Sequence, residues 1–144
     1  MADEIRIKNI PTGFQSFISN GRHGILGDEP VKSKGTDLGF SPPEFLLAGI
    51  AMCKVATVRY IARKKGWDIG NVDGRLVQKV KRGKDRKLAT DVKVHIEIEG
   101  NLTDEQREEL LRESDACYVH RMIEGEWNIE SAIHEGVDQV VAEQ

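Results

Sequence analysis

The chain has 144 residues, 39% of them hydrophobic and 31% charged, and 21 Lys and Arg against 24 Asp and Glu leave a net charge of −3. That length suits one domain, 1–144, able to bury roughly two-thirds of its unfolded surface without disulfide or metal. The near-neutral balance argues against nucleic acid as a partner, no apolar run nears the ~20 residues of a membrane span, and the first twenty residues hold no apolar signal core, so the expected address is cytoplasmic.

In chain order, Glu4 to Ile10 alternates apolar and polar side chains and predicts a strand, broken at Pro11-Thr12-Gly13. Phe14 to Ser19 predicts a second strand, and Asn20-Gly21 a tight turn. Residues 21–40 read as a loop with short extended pieces at Ile25-Leu26 and Val31-Lys32. Residues 4–34 are thus expected to form two or three antiparallel strands and a loop.

The longest helix signal spans Ser41 to Gly66. Ser41 is a good N-cap, Pro43 suits the first turn, and Glu44 three residues on completes a capping box. Arg63, Lys64 and Lys65 suit the C-terminal end, and Gly66 stops the helix. Residues 45–53 are apolar nearly all round, the pattern of a helix buried on most sides. Burial that complete in so small a chain points to cover from a second copy. Gly49 marks a kink or a close approach of another backbone.

Val72–Arg82 and Leu88–Ile98 alternate on either side of the charged turn Gly83-Lys84-Asp85-Arg86, a long hairpin. Val92, Val94, Ile96 and Ile98 share its apolar face. Thr103 opens a second helix, with Gln106 completing a capping box; Leu110, Leu111 and Ser114 lie on its apolar face, and Cys117 comes near its end. Tyr118 to Glu124 continues that helix or begins a new turn. Trp127 to Ile133 predicts a final strand, and 134–144 a frayed end in which Val137, Val140 and Val141 could dock.

Chemistry narrows to the cysteines. Gly21-Arg22-His23-Gly24 lacks the residues and context of a phosphate loop, and no serine sits in a nucleophile elbow. Cys117 and His120 have C-x-x-H spacing, but few ligands remain to complete a zinc site, and no metal is expected. Cys53 and Cys117 are the only cysteines. In a reducing compartment they are two inert buried thiols, a metal pair or a redox pair. Reactivity needs the thiolate, which apolar burial suppresses, so a functional Cys53 needs a cation and access from outside.

The segment SPPEFLLAGIAMC at 41–53 resembles the (S/N)-P-x-E-x-L helix start, ending at a cysteine, of the OsmC/Ohr proteins (osmotically inducible protein C and organic hydroperoxide resistance protein). The later helix ending at Cys117, the following Trp127-Asn128-Ile129, and the turn Asn20-Gly21-Arg22-His23-Gly24 are similar as well. Tyr118 departs from the proline that many members carry after this cysteine.

The resemblance implies an OsmC-like α+β fold, with antiparallel sheets wrapped around a long buried central helix. It further implies an intertwined homodimer with its active sites at the subunit interface. The implied activity is a thiol peroxidase that reduces organic hydroperoxides to alcohols. Cys53 would be the peroxidatic thiolate and Cys117 the thiol that closes a disulfide with it. Arg22 would hold the thiolate and polarise the peroxide, and Glu44 would orient Arg22. No cofactor is implied beyond a dithiol reductant, such as a lipoyl group. A second expectation from the same resemblance is a dimeric binding or stress protein with an apolar pocket and little peroxidase turnover.

Overall fold

Two antiparallel sheets and three helices make up the computed structural model, which describes residues 3–135. The first sheet holds β1 (Arg6–Asn9), β2 (Ser16–Ser19) and β3 (Gly24–Gly27) in that order. Ile7 stands opposite Ile18, and Ile18 opposite Ile25, so one face of this small sheet is aliphatic. The turn from β2 to β3 is organised by Asn20, whose Oδ1 accepts the backbone N–H of Arg22 at 2.9 Å and of His23 at 2.8 Å. A 3-10 turn at Val31–Ser33 follows.

Asp28, only 3% exposed, ties together the loops on this side of the molecule. Its carboxylate accepts the backbone N–H groups of Phe14, Glu29, Thr36 and Leu38 and the Thr36 hydroxyl. The Thr36 hydroxyl holds this carboxyl well below the usual carboxylate range, against the opposing effect of burial and with help from the backbone donors.

The central helix, α1, runs from Pro42 to Lys65. Glu44 Oε1 accepts from the Ser41 backbone N–H at 3.0 Å and from the Ser41 hydroxyl at 2.8 Å. Both lower the Glu44 carboxyl from its ordinary value, the backbone donor more. At the other end Gly66 takes φ +70°, the left-handed conformation a helix stop requires. The helix is unbroken through Gly49, and a Cβ added there would meet no atom within 4 Å. The expected kink or close backbone contact at Gly49 is therefore absent within the described residues.

The hairpin is formed by β4 (Val72–Arg82) and β5 (Leu88–Ile98), in register from Val72 opposite Ile98 to Arg82 opposite Leu88. Then come α2 (Asp104–Ser114) and α3 (Tyr118–Glu124). The Thr103 hydroxyl caps α2 by accepting from the Gln106 N–H at 3.1 Å. The core lies where one side of α1 meets the hairpin and α2: Val58, Ala62, Ile98 and Leu110, flanked by Ile61, Trp67, Ile69, Val72, Ile96 and Leu102.

Three sequence expectations change. The buried positions of α1 are Lys54, Val58 and Ala62, one stripe at i, i+4 and i+8, rather than most of its circumference. One chain supplies only the hairpin, α2 and α3 as cover, and Leu46, Met52 and Tyr60 on the far side are more than 60% exposed. By length and composition α1 is also long and apolar enough to cross a membrane, because Lys54 and Arg59 are the only charges from Phe45 to Ala62. Finally, Trp127–Ile133 forms no strand. Its alternation is genuine, but a strand exists only with a ladder partner, and Trp127, Ile129 and Ile133 stand exposed with none among the described residues. The expected docking of Val137, Val140 and Val141 lies outside the described residues.

Candidate functional site

Packing of α1 against α2 and α3 brings the two cysteines together. Cys53 lies midway along α1 and is half-buried; Cys117 sits between α2 and α3, at the N-cap of α3, and is 1% exposed. Both are free thiols, close enough for the Cys53 thiol to act on the ionisation of Cys117. Cys53 Sγ also accepts the Val119 backbone N–H at 3.4 Å. Burial pushes the Cys117 thiol up from its ordinary value. The His120 backbone amide pulls it down, the Cys53 thiol beside it pushes it further up, and the positive charge of Lys54 pulls it down.

Lys54 was not among the residues expected to act here. It is 3% exposed. Its Nζ donates to the Ser114 carbonyl at 3.4 Å and to His120 Nδ1 at 3.0 Å, and lies 3.6 Å from Asp115 Oδ1. An ammonium has donors only, so His120 Nδ1 must accept. The ring proton then sits on Nε2, which donates to Glu124 Oε1 at 2.8 Å. His120, singled out in the sequence only for its C-x-x-H spacing from Cys117, thus links a buried cation to an exposed carboxylate. One signal for Lys54 was present in the sequence: it is the only charge between Glu44 and Arg59. A lone charge in an apolar helix is costly unless it is met by partners.

The other two expected site residues lie elsewhere. Glu44 stands nine residues before Cys53 on a continuous helix, roughly 13 Å along its axis. Its Oε1 is engaged by Ser41, and no arginine pairs with it among the described residues. Arg22 is exposed at the tip of the β2–β3 turn, its guanidinium without a hydrogen-bond partner among the described residues. Within one chain, then, Cys53 and Cys117 meet each other but meet neither Arg22 nor Glu44. Among the described residues no cluster of three or more His, Cys, Asp or Glu has the arrangement of a metal site.

An apolar groove of about 730 Å³ opens between the first sheet and the start of α1, lined by Ile5, Ile7, Phe14, Phe40, Phe45 and Leu46 among others. Neither cysteine lines it, and Leu46 lies about 10 Å along the helix from Cys53.

Several solved structures share this fold. An OsmC-like protein from Mycoplasma pneumoniae superposes with a TM-score of 0.73 at 21% identity, over 87% of this chain and 89% of that one. The organic hydroperoxide resistance protein OsmC of Legionella pneumophila gives 0.67 at 16% identity, over 87% and 90%. An organic hydroperoxide resistance protein from Elizabethkingia anophelis gives 0.67 at 16%, over 87% and 89%. At these identities the likeness is one of fold. No curated protein matches the chain. The OsmC-like protein family model matches residues 35–132, more than half of the sequence and both cysteines, and the chain belongs to that family.

Proposed function

We propose that the protein is a cysteine-based peroxidase that reduces organic hydroperoxides to alcohols. The observation that carries this reading is the proximity of a half-exposed Cys53 thiol to a buried Cys117 thiol on a separate element, with the Val119 N–H two residues past Cys117 donating to the Cys53 sulfur. The organic hydroperoxide resistance proteins that share the fold support it. The Cys53 thiolate attacks the distal peroxide oxygen, the O–O bond breaks, and the leaving alkoxide takes a proton to become the alcohol. Cys53 is then a sulfenic acid. Cys117 attacks its sulfur, a disulfide forms, and water leaves with the Cys117 proton. A dithiol, for instance a lipoyl group, returns both sulfurs to thiols by exchange.

The working unit in this reading is a homodimer in the cytoplasm. The outer stripe of α1 (Leu46, Gly49, Met52, Ala56, Tyr60) is exposed, and small residues at Gly49 and Ala56 leave room for a second helix. The unpaired alternation of Trp127–Ile133 fits a strand added to the partner. Arg22 and Glu44 would reach a thiol pair across that interface.

Titration with an alkyl hydroperoxide tests the chemistry. One equivalent should convert both thiols to an intramolecular disulfide, and Cys53→Ser should abolish the reaction. Cys117→Ser should consume about one peroxide per chain and then stall or over-oxidise. Intact thiols after equimolar peroxide would overturn the proposal. They would favour instead a dimeric OsmC-like binding protein that holds an apolar ligand, for which the 730 Å³ groove is the supporting feature.

A further inference from the structure

The three groups that meet the Lys54 ammonium lie on both flanks of Cys117 in the chain. Ser114 and Asp115 come before it and His120 after it. Lys54 itself follows Cys53 on α1. One buried side chain therefore spans from the helix that carries one thiol to both ends of the short segment that carries the other.

We propose that Lys54 is a positioning residue for closure of the Cys53–Cys117 disulfide: its buried ammonium clamps the Ser114–His120 segment onto α1, presents the Cys117 sulfur to Cys53, and favours the attacking thiolate against the burial that opposes it. This rests on reading the two thiols as a redox pair. The chemistry makes the need plain. Cys117 is the more buried thiol, and burial opposes its ionisation. Disulfide closure requires its thiolate, so a cation is needed at the second sulfur as well as at the first. Asp115 from the end of α2, His120 on α3 with Glu124 behind it, and Cys117 are the titratable groups that face this ammonium. The β4–β5 hairpin places no charged partner on it among the described residues.

Diamide, an azo oxidant, tests this without any peroxide. Cys53 adds as thiolate to the N=N bond; the Cys117 thiolate displaces the hydrazine and forms the S–S bond. The two thiols give up two electrons and two protons, all taken up by the diazene. Lys54→Met should slow closure at pH 7 measurably, by up to about tenfold, because the Cys117 thiolate loses its nearby cation. The gap should narrow as the pH rises and more of Cys117 ionises without the cation. Lys54→Arg should recover much of the rate. The first addition, followed in a Cys117→Ser background, should change far less. His120→Gln, at a half-buried position, should slow closure with the same pH dependence but by a smaller factor. The proposal is overturned if folded Lys54→Met closes at the parent rate at pH 7, or is slowed equally at every pH, as a packing role alone would give. If Lys54→Met does not fold, a parent closure rate in His120→Gln overturns it equally. A chain that closes its disulfide with diamide in the expected pattern but leaves hydroperoxide untouched would sink the peroxidase reading and leave this one standing.

Discussion

The middle of α1 and its N-terminal end stand in contrast. Around Cys53 the chain completes its own environment. The buried ammonium of Lys54 has three polar neighbours, the thiols have each other, and Val58 and Ala62 below them pack into the core with Leu110 and Ile98. At the N-terminal end Glu44 has only its own cap, Arg22 points away, and Phe14, Phe40 and Leu46 are about half exposed or more. Exposed apolar area on that scale stays in water only at a cost of about 25 cal/mol per Å². The contrast teaches where the proposed second chain would act: the thiol pair forms within one chain, whereas cover for the outer stripe of α1 and an arginine at the sulfur would have to come from the partner.

Three substitutions bear on that contrast. The largest effect belongs to the closed region. Leu110→Ala removes a fully buried side chain from the core and should cost about 2–5 kcal/mol, read from the urea midpoint. If the variant instead keeps parent stability while its association is lost, the division between the two regions is misplaced.

Met52→Lys comes next. Met52 is 74% exposed, so a lysine there should leave the helix content of the chain unchanged. In a dimer closed along this stripe it buries a charge, and light scattering should report one-chain mass at micromolar concentration where the parent reports two. A variant that remains as associated as the parent would remove α1 from the interface.

The smallest effect is at Asp28. Its carboxyl is held below the usual range in the folded chain, so its contribution is fully present above the unfolded value, about pH 4. That contribution is lost as the pH falls further, toward the folded value. Asp28→Asn should lower stability at pH 7 and flatten the fall between pH 4 and pH 2, seen by comparing urea midpoints. An unchanged acid slope would show that the loops gathered on Asp28 are held by something else.

Much of this fold was legible in the residues because its signals are local. Ser41 with Glu44, Thr103 with Gln106, and Gly66 mark helix ends through contacts within one turn. The alternation on either side of Gly83–Arg86 set the hairpin's two strands without reference to anything distant. The site was half legible. The cysteines stood out by their rarity, and their family pattern paired them, but Lys54 looked like an ordinary interruption of an apolar run.

What the sequence determined by itself, then, was most of the strands, the two longer helices with their caps, and the two thiols as the reactive candidates. Only the tertiary structure decided that Cys53 and Cys117, 64 positions apart, lie side by side, and that Lys54 reaches from α1 to both flanks of Cys117. It also decided that Trp127–Ile133 forms no strand among the described residues and that α1 buries one stripe. The physical reason is the range of the forces involved. Caps and turns are satisfied by neighbours in the chain, whereas a ladder partner, a counter-ion or a covering surface is supplied by whatever packing brings alongside.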